Sequence, residues 1–222
     1  ATDPGSFNPD AKGDDMATYT ATNVFNRLVK TTASTEIIPD LAESWEFSED
    51  GKTLTFHLYE NVKWHDGEPF SSEDVKWTLD MIRTEGFQSN SFKMIEEITC
   101  PDANTVVIQM SSPSAAILSS LGWLGTFILP KHIYEGTDWT ANEANMHPIG
   151  TGPFKFESYE KGQAITLVRN DDYFMDAPYL DKLVITIIPD ANTAFQAYMN
   201  GEVDDLMLNI PSNEIAGLKA NP

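Results

Sequence analysis

The chain has 222 residues, of which 41% are hydrophobic and 11% aromatic. That is enough for a packed core in one or two domains, and it excludes an intrinsically disordered chain. Its 14 Lys and Arg against 34 Asp and Glu give a formal net charge of −20, a surface that repels nucleic acid and anionic lipid and excludes both as partners. The charge names no ligand: it marks a solvated acidic surface or adaptation to a salt-rich habitat.

Residues 1–15 are rich in Pro, Gly and Asp and read as irregular. Tyr19, Val24, Phe25, Leu28 and Val29 then share one side of a helix expected over 16–29. Leu54, Phe56 and Leu58 alternate with Thr53, Thr55 and His57, the period-two pattern of a half-buried strand, and Trp45 and Phe47 start a similar alternation before it. Glu49-Asp50-Gly51-Lys52 is the hairpin turn between them, because Gly takes a positive φ without a Cβ clash. The run HDGEPF at 65–70 turns the chain again. Ser71 and Asp74 have capping-box spacing, with Asp in place of Glu or Gln, and Val75, Leu79 and Ile82 carry a helix from 72 to 83.

Residues 86–93 form a polar loop. IEEITC and TVVIQM flank a turn at 101–104 and make a second hairpin. Cys100, the single cysteine, excludes an internal disulfide and reads as a small buried residue. Pro113 opens a helix that runs to Leu121. TFIL is a short strand, and a short helix follows between Pro130 and Gly136. Gly150-Thr151-Gly152 is too short for a phosphate loop; it reads as a place where two backbone segments cross closely. A hairpin turns at Lys161-Gly162. LVITIIP (183–189) reads as a strand buried on both faces, followed by a helix near 191–200 and a strand at 204–208, a βαβ unit.

No catalytic constellation can be assembled from these residues. His57, His65, His132 and His147 have no metal-ligand spacing, so no metal site and no cofactor is expected. His65-Asp66 sits in a tight turn and satisfies turn backbone rather than catalysing. Ser119-Ser120 lacks a nucleophile-elbow context. Asp171-Asp172 lacks calcium-loop spacing. Trp45 and Trp77 fall on apolar faces and are expected in the core. Trp123, in LGWLGT, either faces a cleft or packs inside. No run reaches the roughly 18 apolar residues of a membrane span.

Several motifs in order carry a resemblance. PDLAESWEFSEDGKTLTFHL, VKWHDGEPF, the SEDV helix start, GTGPF at 150–154, NDDYF at 170–174 and the run from Ala197 to Asp204 together resemble family 5 extracellular solute-binding proteins, the dipeptide, oligopeptide and nickel receptors of ABC importers. Two positions depart: Asn8 stands for the Asp of an L-D-P-like motif, and Asn26 for the Glu of Y/F-E-x-L.

The resemblance implies an α/β, periplasmic-binding-protein-like (type II) first lobe. Its mixed main sheet would take 1–42 and 149–222, and a largely antiparallel α+β subdomain would be inserted at 43–148. The second lobe would lie outside this chain, since family members are roughly twice as long. The resemblance implies no enzyme but capture of di- or oligopeptides, or a similar polar solute, between two lobes, with ABC permease subunits as partners. Receptors of the same fold for nickel, metallophores or oligosaccharides, and a non-transport sensor domain, are the alternatives. The opening ATDPGSFNPD is how a mature exported protein would look after trimming, but it is the resemblance that implies an extracytoplasmic, lipid-anchored protein. Family contacts fall on three segments here: the loop 10–16, with Gly13, Asp14, Asp15 and Met16; residues 88–92, with Phe92; and 125–127, with Thr126; Trp123, if it faces the cleft, extends the third. Thr126 stands about where the nickel receptor has an arginine, which weakens a metallophore reading.

Overall fold

The computed structural model describes residues 3–11, 15–123, 126–206, 210 and 215, with the side chain of Asp15 left aside. Helix α1 runs over Asp15–Val24. It stops before the expected end because the next residues are captured elsewhere. The carboxylate of Asp40 accepts from the Asn26 side chain and from the Arg27 backbone N–H (2.8 Å). Val29 therefore begins a strand, β1 (Val29–Thr31), paired antiparallel with β2 (Ile37–Pro39).

The four-stranded sheet has the order β3-β4-β6-β5 and is antiparallel throughout. Its strands are β3 (Ala42–Phe47), β4 (Thr53–Leu58), β5 (Ile95–Asp102) and β6 (Thr105–Met110). The alternation in β4 sends Leu54, Phe56 and Leu58 inward and leaves His57 exposed, as its period predicts. Gly51 has φ +68°, the conformation its hairpin demanded. The second hairpin is tighter than expected, since β5 continues through Pro101 and Asp102. Helix α2 (Ser72–Glu85) covers the sheet with Val75, Leu79 and Ile82. The Asp74 carboxylate accepts from the Ser71 N–H at 2.9 Å, one arm of a capping box, so the shorter Asp suffices. Cys100 is half-buried rather than buried and donates its thiol to the Ser72 carbonyl.

Helix α3 is only Ala116–Leu121. Pro113 precedes it and packs against Gly51 instead of opening it. Residues 126–130 form no strand; their backbone donates to the Asn26 carbonyl from Ile128 and to the Asp10 carboxylate from Phe127. Helix α4 (Lys131–Tyr134) follows Pro130, and Gly136 ends the turn beyond it at φ +77°.

The remaining sheet is three-stranded and antiparallel, β7 (Phe154–Glu160), β8 (Ala164–Arg169) and β9 (Lys182–Thr186), with Gly162 at φ +74° in the first hairpin. β9 is not buried on both faces: among the described residues it is the edge strand, and Val184 is 57% exposed. A continuous β-branched run reports strand propensity, but burial depends on what lies alongside, and among the described residues only β8 pairs with it. Helix α5 (Ala191–Met199) is capped by the Asp190 side chain at Thr193 N. Asp204 to Leu206 are not strand; positions 207–208 of the expected last strand lie outside the described residues.

Among the described residues, two apolar clusters form the core. The first joins the four-stranded sheet, α2 and α3 with Leu28, Val29 and Leu41. The second joins Phe7, α1, Phe127, Leu129, Tyr134 and Trp139 with β7, β8 and Ile187. The fully buried tryptophans are Trp64 and Trp139. Trp45 and Trp77 are half-buried at the cluster margins, Trp45 because β3 is an edge strand and Trp77 because it stacks on Tyr134 at the side of α2.

The crossing at Gly150-Thr151-Gly152 joins the two clusters. Gly152 N–H donates to the Val24 carbonyl (2.8 Å), and the Thr151 hydroxyl bonds Asn26 (3.0 Å). His65 staples the same segment: Nδ1 accepts from Gly150 N–H (3.2 Å), and Nε2 lies 3.0 Å from the Gly152 carbonyl. These contacts require a neutral ring with its proton on Nε2. Burial pushes the imidazole down from 6.5 to about 4. The unfolded chain therefore binds a proton at higher pH than the folded one. The stabilisation is present above pH 6.5 and is lost as pH falls towards 4. Between pH 7 and 5 wild type should lose about 2 kcal/mol that His65→Gln does not lose. Urea titrations of both proteins at the two pH values measure it; equal pH dependence would remove the staple.

Candidate functional site: a hollow between two loop segments

A hollow of about 230 Å³ opens on the surface beside the four-stranded sheet. Gln88, Ser91 and Phe92 line one side, from the 3-10 turn Ser89–Phe92 that follows α2. Ser119, Ser120 and Trp123 line the other, from α3 and the turn after it. Helical spacing explains the second side. Ile117 and Leu121 anchor α3 in the core, which turns Ser119 and Ser120 away from it.

Phe92 is 1% exposed and forms part of the floor, whereas Trp123 is 60% exposed and stands at the edge. Thr126 is buried behind the hollow, its hydroxyl donating to the Ser120 carbonyl at 3.0 Å. No lining residue is ionisable at neutral pH. The hollow thus offers hydroxyls, one amide and an indole face: it can hydrogen-bond a neutral polar group and stack a flat one, but it cannot neutralise a charge.

Of the site residues expected from the sequence, Phe92 and Trp123 are brought together, and Thr126 supports them through Ser120. Met16 is not in the lining; it is buried in the second cluster on the inward face of α1. Asp15 begins α1. Gly13 and Asp14 lie outside the described residues. Ser119 and Ser120, which lack a nucleophile-elbow context, are lining residues instead; the apolar spacing of Ile117 and Leu121 is the signal in the sequence that turns them outward. The His65-Asp66 pair is divided, since His65 holds the glycine crossing and Asp66 pairs with His132 at 2.9 Å. Asp171 pairs with Arg169 (2.7 Å). Among the described residues no three potential ligands cluster for a metal ion, and no helix is long and apolar enough to cross a membrane.

Behind the hollow lies a buried polar network. Arg27 donates to the Gly122 carbonyl at 3.2 Å, and its guanidinium lies 4.5 Å from the centre of the Phe127 ring. Asp40 pairs with Lys30 at 3.0 Å. Burial raises the Asp40 carboxyl and lowers Arg27.

Comparison with known proteins places these features in a family. Residues 36–222 match the profile of bacterial extracellular solute-binding proteins, family 5 (middle). The dipeptide-binding protein of Escherichia coli K12 is 34% identical over 97% of this chain and 45% of its own length, so the chain spans about half of that relative. The periplasmic binding protein DppA of Helicobacter pylori, solved with the peptide STSA, superposes with a TM-score of 0.86 at 31% identity, over 100% of this chain and 48% of that one. NikZ of Campylobacter jejuni, solved with Ni(L-His), superposes with a TM-score of 0.81 at 28% identity, over 91% of this chain and 41% of its own. The fold is that of the periplasmic binding proteins, and the chain belongs to the bacterial extracellular solute-binding proteins, family 5.

Proposed function

We propose that this chain forms one lobe of an extracytoplasmic receptor for an ABC importer, and that the hollow is part of the wall on which a peptide or similar polar solute rests. The observation that carries the reading is the pairing of Phe92, on a segment the family resemblance marks, with Trp123, a cleft candidate from its own Gly-flanked context, across one uncharged hollow. The relatives named for dipeptide binding and solved with a bound peptide support the peptide class. In this reading residues 43–148 are an inserted subdomain, 1–42 and 149–222 belong to the main lobe, and residues 13–16 lie at the edge of the cleft. No bond is made or broken. Closure of two lobes buries the ligand, and the closed form is what the permease reads.

A single wall cannot desolvate a peptide or neutralise its termini. The 222-residue chain should therefore bind peptides at about millimolar Kd, and a protein carrying the other half of the relatives' length far more tightly. Calorimetry of both against a peptide library, with Ni(L-His) as a separate arm, tests this. Micromolar peptide binding by the short chain would mean its site is complete without a second lobe. Tight binding of Ni(L-His) but of no peptide by the longer protein would replace the ligand class.

A further inference from the structure

Asp10 does not line the hollow, but it bonds Phe87, next to the lining Gln88, and Phe127, next to the Thr126 that lies behind the lining Ser120. Its backbone carbonyl accepts from Phe87 N–H at 3.0 Å, one residue before Gln88. Its Oδ1 accepts from Phe127 N–H at 3.1 Å, one residue after Thr126. Its own position is set by Asn8, whose side-chain oxygen accepts from the N–H groups of Asp10 (3.2 Å) and Ala11 (3.3 Å) while its amide donates to the Trp139 carbonyl (3.2 Å). Asp10 is completely buried, and among the described residues its Oδ2 has no partner. A buried carboxyl with one unpaired oxygen is costly, and an apolar residue would fill the space more cheaply for mere packing.

We propose that Asp10 is the positioning residue of the wall, a single side chain whose protonation state, acting through Phe127 and Thr126, sets how residues 88–92 and Trp123 face each other across the hollow. The charged and titratable groups around it are Arg27, which also holds Gly122 and covers the Phe127 ring, and Tyr134 from α4; Asp40 and Lys30 lie beyond Arg27. Burial pushes the Asp10 carboxyl up to about 8, against weaker opposing pulls from the Phe127 N–H and Arg27. Neutral Asp10 accepts an ordinary hydrogen bond from Phe127, while the carboxylate accepts a charge-assisted one that is shorter and stronger. Ionisation thus draws the Phe127 end of one segment towards the residue that holds the Phe87 end of the other. Thr126, adjacent to Phe127, carries the shift to Ser120, and Arg27 carries it to Gly122 and so to Trp123.

That these segments form a ligand wall rests on the function proposed above; the coupling itself does not, and it is tested without ligand. The 222-residue chain is labelled with 5-fluorotryptophan and with carbon-13 aspartate and titrated from pH 6 to 10. Fluorine NMR reads Trp123, assigned by Trp123→Phe, and carbon NMR reads the Asp10 carboxyl. The expected result is one shared midpoint near 8 for Asp10 and Trp123, a flat Trp45 signal, and loss of the Trp123 titration in Asp10→Asn, which keeps the acceptor for Phe127. A Trp123 signal that is flat, or that titrates at a different midpoint from Asp10 in the wild-type chain, overturns the proposal whether or not the variant folds. So does a Trp123 titration that survives in folded Asp10→Asn. Failure here leaves the peptide-binding experiment untouched, and failure there leaves this coupling standing.

Discussion

Gly150→Ala should cost more than about 4 kcal/mol or prevent folding altogether. A Cβ at this position would lie 1.8 Å from the Val24 carbonyl oxygen and 2.6 Å from its carbon, with the Phe25 ring at 3.0 Å. The obstacle is backbone, so no rotamer change relieves it. Moving Val24 would disturb the hydrogen bond from Gly152 N–H and the end of α1. Gly152→Ala should behave similarly, since its Cβ would meet Asn23 and Val24 atoms at 2.6 Å. Two controls separate crowding from backbone conformation. Gly162→Ala faces open space but sits at φ +74°, and should cost about 1–2 kcal/mol. Gly5→Ala has open space and no positive φ, and should change stability by less than about 0.5 kcal/mol. Urea denaturation of the four variants gives the order; a loss below about 1 kcal/mol for Gly150→Ala would show that the crossing can open.

Trp64→Ala should lose about 3–5 kcal/mol. Its side chain is 2% exposed in the first cluster, set edge-on to Phe70 with ring centres 5.9 Å apart and against His132 at 6.2 Å. The HDGEP turn that follows it carries His65 and Asp66, so the cavity would sit beside the contacts to the glycine crossing and to His132. Trp45→Ala, on the edge strand, should lose about half as much, because only part of its surface leaves water on folding. Thermal melts of the two variants side by side measure the difference; equal losses would mean that the edge of the sheet is packed as tightly as its centre.

Local chemistry explains what was legible in the chain alone. Gly51, Gly136 and Gly162 mark turns because only glycine takes a positive φ freely, and all three do so. The capping spacing of Ser71 and Asp74 and the 3.6-residue apolar period fixed the start and inner face of α2 within a few residues of its bounds. The glycines at 150 and 152 announced a close crossing, since a Cβ at either position would run into the backbone at the end of α1. The family motifs rest on these same local devices, which is why the family could be read from them.

Tertiary structure decided what depends on partners distant in sequence. The end of α1 is set by Asp40, thirteen residues beyond Arg27, and no window centred on the helix contains that information. The exposure of β9 depends on which strands flank it rather than on its own β-branched run. Trp45 and Trp77 lie on apolar faces, but periodicity gives direction without depth, and Trp64 and Trp139 took the interior. Ser119 and Ser120 became lining residues only because the 88–92 turn packs opposite them. Asp10 gave no signal as an aspartate in an acidic, irregular opening; its burial and its bonds to Phe87 and Phe127 exist only once three segments converge, because desolvation and hydrogen-bond geometry are properties of the assembled fold.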